Sequence, residues 1–109
     1  MRLHVTKDVD ALHSLIKNYY DTYNIIHDAK ITENTYLFVV EKFFFRNSSR
    51  ASLSIVLTSD ATHTIIEIVG SGGGQSMFFK FDWGAKESFE KGVLKILEQN
   101  AIEYKMVNE

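Results

Sequence analysis

Three runs of β-forming residues, joined by two short polar segments, constrain this chain more than any other feature. The runs cover residues 35–45, 51–58 and 62–69, and they are rich in β-branched and aromatic side chains or alternate apolar with polar residues. The segments between them, 46–50 and 59–61, have the composition of turns. Strands that follow one another so closely pair most simply as an antiparallel meander.

Two amphipathic segments flank the meander. In the first, apolar residues recur at spacings of three and four over residues 12–23, which predicts a helix capped by Thr6 or Asp8 and ending near residue 22. In the second, the same spacing over residues 85–97 predicts a helix that ends at Asn100. Each helix would place one apolar stripe on the sheet.

Together these elements predict an α+β fold, with an antiparallel sheet of four to five strands and two helices packed on one face. Alternating residues at 2–6 and 102–106 predict flanking strands, and a further extended stretch lies at 77–81. Residues 24–34 are mixed and polar, and we interpret them as a loop, either alone or with a short strand in it. The element order is β-α-β-β-β-(β)-α-(β), and the length is typical of one domain that spans residues 1–109.

The strand at residues 35–45 is apolar on both of its faces. One face carries Leu37, Val39, Phe43 and Phe45, and the other carries Tyr36, Phe38, Val40 and Phe44. Two helices cover only one face of a sheet, and an exposed apolar patch usually marks a site for a partner. We therefore expect a small non-enzymatic domain that self-associates as a homodimer through the second apolar face.

The composition argues against several classes of function. Fourteen acidic and 12 basic residues give a net charge of −2, whereas nucleic-acid-binding domains are clearly basic. The absence of cysteine removes disulfides and thiolate chemistry. The apolar runs are too short to span a bilayer, and the N-terminus has no signal-peptide pattern. We expect a cytoplasmic protein that engages neither membrane nor nucleic acid.

A glycine-rich stretch, Gly70-Ser71-Gly72-Gly73-Gly74-Gln75, follows the third run. Consecutive bare amides can converge on a phosphate or carboxylate, so one interpretation is a loop that binds a small anionic ligand. Arg46, Arg50 and Lys80 would then supply positive charge. The alternative is a turn or linker between strands. The residues after Gly74 favour this alternative, because they are not the Lys and Ser or Thr of a phosphate-binding P-loop.

Other polar residues fit simple structural roles. The histidines are His4, His13, His27 and His63, and their spacing indicates no shared metal site, so we expect them to be incidental. Glu41 and Glu67 are expected to face solvent or to pair with a basic residue across the sheet, and Asp82 to cap a helix. Ser71 and Ser76 lack the surroundings of a hydrolase nucleophile. The sequence therefore assigns no catalytic residue, metal or cofactor.

Three segments are distinctive as strings. They are Glu41-Lys42-Phe43-Phe44-Phe45-Arg46-Asn47-Ser48-Ser49-Arg50, Gly70-Ser71-Gly72-Gly73-Gly74-Gln75 and Phe81-Asp82-Trp83-Gly84-Ala85. Together they resemble a family of short bacterial proteins of unknown function, and the resemblance covers most of the chain. It implies a bacterial, cytoplasmic, stand-alone domain. Because that family has no assigned activity, the resemblance implies no role for any residue.

Overall fold

One antiparallel sheet organises the molecule. The computed structural model describes residues 1–44, 49–60, 62–72, 89 and 91–107. Their strands are β1 (Arg2–Val5), β2 (Asn24–Thr32), β3 (Thr35–Phe44), β4 (Ser49–Ser59), β5 (Thr64–Gly72) and β6 (Tyr104–Val107), and their helices are α1 (Val9–Tyr19) and α2 (Gly92–Gln99). The strand order is β2-β3-β4-β5-β1-β6. The predicted α+β class is confirmed, but the predicted four to five strands are wrong, since the described residues form six.

The strand absent from the predicted element order is β2, in the stretch interpreted as a loop. It pairs with β3 along its whole length, but the register shifts between Ile25 and His27 and again between Lys30 and Thr32. Each shift is a β-bulge, in which an extra residue interrupts the alternation of side chains between the two faces. The extra isoleucines, Ile26 and Ile31, are more than half exposed. Two bulges within nine residues remove the period-two pattern by which a strand is recognised.

Both helices lie on the same side of the sheet for a topological reason. Four antiparallel pairings separate β1 from β2, and two separate β5 from β6, so each of these two pairs runs parallel. The connection from β1 to β2 contains α1, and the connection from β5 to β6 contains α2. These two connections cross the sheet in opposite directions, and they start from strands that run antiparallel to each other. Right-handed crossovers, the strongly preferred hand, then place both helices on one face.

The hydrophobic core lies between this face and the helices. We call the side of the sheet that contacts the helices the covered face. It presents Leu3, Val5, Phe38, Val40, Phe44, Leu53, Ile55, Leu57, Ile66 and Ile68, all of them buried. The helix side contributes Val9, Leu12, Ile16, Tyr20, Phe89, Val93, Ile96 and Leu97 to the same cluster. The two predicted amphipathic stripes are therefore the ones that pack on the sheet.

The ends of the helices follow ordinary capping chemistry. Asp8 caps α1, since its side chain accepts a hydrogen bond from the backbone N–H of Ala11 at 3.0 Å. Asn100 ends α2, with its side-chain amide donating to the carbonyl of Ile96 at 2.8 Å. The predicted start of this helix, near residue 85, lies outside the described residues, as does the predicted strand at 77–81. Neither helix in the described ranges is long and apolar enough to cross a membrane.

Close contact between α1 and α2 depends on Gly92. A Cβ atom at this position would collide with the side chain of Tyr20 just after α1. The Tyr20 hydroxyl donates a hydrogen bond to the backbone carbonyl of Phe89 at 2.7 Å, and burial raises the pKa of this phenol. Gly92 thus permits close approach between the two helices, and a phenol hydroxyl is buried at their contact.

Candidate functional site

The structure changes the glycine-rich stretch that the sequence singled out. Gly70, Ser71 and Gly72 belong to β5 and pair with residues 51–53 of β4, so the prediction that a loop begins at Gly70 is wrong for these three residues. Glycine has little preference for strands. The alternating residues of β4 continue opposite these glycines, however, and strand pairing therefore extends to Gly72. Gly73, Gly74, Gln75, Arg46 and Lys80 lie outside the described residues.

Gly72 has a conformation that requires glycine. Its φ angle is +80°, and a Cβ atom would collide with the carbonyl oxygen of Arg50 on β4. Beside it, the hydroxyls of Ser71 and Ser52 share a hydrogen bond of 2.8 Å across the two strands. These glycines therefore have a structural role in the described part of the stretch, where strand pairing holds them against β4.

Arg50, the one predicted anion-binding cation within the described ranges, already has a partner. Its guanidinium donates to Glu41 at 3.0 Å and lies 5.9 Å from the ring centre of Phe43. The pairing of Glu41 with a basic residue across the sheet is confirmed, as is that of Glu67, whose carboxylate accepts from Arg2 at 2.7 Å. Binding of a small anion at Gly70–Gln75 stays a prediction.

The second apolar face of the sheet is the larger candidate. We call it the open face, because no described helix or strand packs against it. It presents the apolar residues Leu37, Val39, Phe43, Val56, Ile65, Val69 and Val107. Phe43 is 40% exposed and Val69 is 57% exposed, while the others are half-buried among their neighbours. The predicted division of β3 into two apolar faces is confirmed for residues 36–44.

A depression of about 610 Å³ lies on the open face. Its lining combines an apolar floor with a charged and polar rim: Arg2, His4, Val56, Thr58, Ile65, Glu67 and Val107. It forms where β1, β4, β5 and β6 present successive rows of the same face. The volume is within the range of small-molecule sites, and the site is open to solvent. Such a surface can receive an apolar ligand or the side chains of another protein.

Two ion pairs lie on the open face, which also carries Lys105 at the β6 edge. Arg2 and Glu67 face each other across β1 and β5, and Glu41 and Arg50 pair near the other end of the sheet. Each pair combines one positive and one negative group, so the two pairs together contribute no net charge. The apolar centre is thus bordered by neutralised ion pairs rather than by a field of one sign.

A cluster of polar residues that the sequence did not indicate connects α1 to β2 and β3. His13 donates to Asp28 at 2.6 Å, and Lys17 contacts the same carboxylate at 3.2 Å. The ring of His13 stacks on Tyr36 with centroids 4.0 Å apart, and the Tyr36 hydroxyl donates to Asp10 at 2.6 Å. The expectation that the histidines are incidental is wrong for His13. The cluster holds α1 against the edge of the sheet.

Hydrogen bonding shifts the pKa values in this cluster. Burial alone would raise the pKa of Asp28, but the hydrogen bonds from His13 and Lys17 outweigh it and lower that pKa. The hydrogen bond between Tyr36 and Asp10 lowers the pKa of Asp10 and raises that of Tyr36 to about 12. The sequence indicated this cluster only weakly. His13 and Lys17 lie one helical turn apart on α1, but Asp28 can be placed opposite them only once β2 is known to be a strand.

Within the described ranges, no group of three or more His, Asp or Glu residues is arranged to hold a metal ion. Comparison with known proteins shows that residues 4–101 match the model of DUF6054, which is described as a family of unknown function. Neither the curated proteins nor the solved structures contain a match to this chain.

Proposed function

The chain belongs to DUF6054, a family of unknown function, and we propose that it acts as a self-associating domain whose two copies pack open face to open face. The observation that carries this proposal is the open face itself, where seven apolar side chains lie on the side of the sheet away from the helices. Apolar surface of this kind is stabilised when a partner removes it from water.

The size of the open face suits such an interface. Four adjacent strands of nine to 11 residues form its centre. At about 4.8 Å between strands and about 3.3 Å per residue, they cover roughly 600 Å² in projection. A stable protein–protein interface removes about 800 Å² of accessible surface from each partner. The face is therefore of the order that a homodimer requires.

The charge pattern favours a second copy of this chain over a strongly charged partner. In a two-fold interface the same patch meets itself, so a patch of one sign would repel its copy. Here the ion pairs Arg2–Glu67 and Glu41–Arg50 are neutralised within each chain. They border the apolar centre without opposing the approach of an identical surface.

Substitution of Val69 by Lys tests the proposal. Val69 is already 57% exposed, so Val69→Lys leaves the fold of the chain intact while placing an unpaired charge in the proposed interface. Sedimentation velocity over a range of concentrations should show wild-type protein approaching twice its chain mass of 12.5 kDa. Val69→Lys should weaken that association by about tenfold or more, a loss of about 1.4 kcal/mol.

The matched control is Ile31→Lys. Ile31 is also β-branched, also in a strand and 56% exposed, but it lies at a bulge of the edge strand β2 and not among the apolar residues of the open face. It should leave the association unchanged. A wild-type chain that stays monomeric up to about 100 μM, where a weak micromolar dimer would be populated, contradicts the proposal. Equal loss of association in both variants would also contradict it.

A further inference from the structure

Two histidines from distant parts of the chain meet at the end of β5 opposite the glycines. His63 precedes the first residue of β5, and His4 lies in β1. Their ring centroids are 4.7 Å apart and their planes are tilted by 30°. Lys105 on β6 is the cross-strand neighbour of His4. Three groups that can carry positive charge therefore converge at one edge of the molecule.

His63 has a nitrogen atom without a hydrogen-bond partner. Its Nδ1 atom lies 2.9 Å from the hydroxyl of Thr62, but its Nε2 atom is shielded from solvent and makes no hydrogen bond. The carboxylate of Asp60 is 3.9 Å from this nitrogen, beyond hydrogen-bonding distance. The His63 ring is therefore hydrogen-bonded at Nδ1, while its shielded Nε2 lies beside an acid.

A small pocket lies beside the two imidazoles. The pocket has a volume of about 340 Å³ and is lined by His4, Val5, Thr6, Thr62, His63 and Lys105. Its polar groups are imidazoles, an ammonium and hydroxyls, all of which can donate hydrogen bonds, and no carboxylate of the described residues lines it. This set of donors matches the chemistry of an anion.

We propose that this pocket binds the oxyanion group of a small ligand, a phosphate or a carboxylate, and we infer it independently of dimer formation. Lys105, the two imidazoles and the threonine hydroxyls line the pocket and supply the donors for this group. Two imidazoles in ring contact repel each other when both are charged, and an anion beside them offsets that repulsion. A cation is disfavoured, because Lys105 borders the site and no described group of three ligands is present.

Charged groups from the neighbouring connections modulate the site. Lys7, Asp8 and Asp60 line an adjoining pocket that shares His63. The carboxylate of Asp8 is engaged as the cap of α1. The carboxylate of Asp60 lies 3.9 Å from Nε2 of His63, so its negative charge opposes a bound anion.

Histidine-detected NMR titration tests the proposal. Inorganic phosphate and acetate serve as probes, added to wild-type protein at about 10 μM so that a weak dimer is dissociated. Saturable shifts of the His4 and His63 ring protons are expected with at least one probe. The stronger of the two probes distinguishes a phosphate ligand from a carboxylate ligand.

Variants of the pocket sharpen the result. His63→Ala should weaken binding by about tenfold or more, whereas Asp60→Asn should strengthen it by removing the opposing charge. Lys105→Gln, at an exposed residue, gives a second test if His63→Ala does not fold. The matched control is His27→Ala, which removes an exposed imidazole elsewhere in the sheet. The proposal would be overturned if neither probe gave saturable shifts at about 10 mM. It would also be overturned if His63→Ala and His27→Ala weakened binding equally.

Discussion

The two faces of the sheet are built from similar side chains but have different surroundings. On β4, Ile55 on the covered face is 0% exposed, while Val56 beside it on the open face is half-buried. On β3, Phe38 is fully buried, while Phe43 on the opposite face is 40% exposed. The residue types alone do not distinguish these faces. The crossovers through α1 and α2 decide which face receives the helices, and no described element packs on the other.

The largest expected effect separates the two faces by a single strand position. Ile55→Ala should lower the free energy of unfolding by about 2–5 kcal/mol, because it opens a cavity under the helices. Val56→Ala should lower the free energy of unfolding of the monomer by only about 1 kcal/mol, since the Val56 side chain is already partly in contact with water. Chemical denaturation of both variants at low protein concentration measures the difference. Equal losses of unfolding free energy would show that Val56 is covered as fully as Ile55.

The same pair of variants sharpens the comparison as protein concentration rises. If a second copy covers the open face, association stabilises the folded chain by mass action. The loss caused by Val56→Ala should then grow with concentration, whereas the loss caused by Ile55→Ala should contain a large part that does not depend on concentration. A Val56→Ala effect that stays constant up to about 100 μM would speak against coverage of this face by a copy.

A smaller effect is expected from the helix layer that distinguishes the covered face. Gly92→Ala places a methyl group against Tyr20 and should destabilise the chain by about 1–3 kcal/mol through overpacking. Thermal or denaturant unfolding measures this loss. Tyr20→Phe removes the hydroxyl that the new methyl group meets, so the double variant should be less destabilised than the sum of the two single variants. Strict additivity would contradict the proposed contact.

The smallest effect concerns the rim of the covered face, where Asp28 holds α1 to β2. Its folded-state pKa lies below the ordinary value of 3.8, so its ionised form stabilises the fold above that pH. The contribution is lost as the pH falls through the lowered folded-state pKa. Asp28→Asn should therefore reduce stability at neutral pH and flatten the loss of stability below about pH 4. Asp21→Asn, at an exposed acid outside the cluster, is the control in denaturation series at each pH.

Sequence reasoning predicted the parts of the fold that depend on regular periodicity. The meander, the two helical stripes and the two apolar faces of β3 follow from alternation and from spacings of three and four. It did not predict β2 as a full strand, because bulges at Ile26 and Ile31 break the alternation. It ended β5 before Gly70, because glycine carries no strand signal although β4 continues opposite it.

Candidate sites were less predictable than strands, because they depend on contacts between distant residues. For Glu41 the sequence indicated exposure to solvent or a basic partner across the sheet, and it did not identify Arg50 as that partner. The contact between His4 and His63 requires β1 to insert beside β5, and no local pattern specifies that neighbour. The contact between His13 and Asp28 likewise depends on the unrecognised strand β2. Long-range pairing therefore limits what sequence reasoning alone can assign.

The bulges of β2 also bear on the form that any assembly can take. A straight edge strand offers a row of free backbone groups to which further sheets can add without limit, as in fibres. The two register shifts twist this edge out of line, and the opposite edge, β6, is only four residues long. Growth by edge addition is thereby discouraged, whereas a two-fold contact between faces closes after two copies. The irregular edge would thus favour a closed dimer over an open-ended polymer.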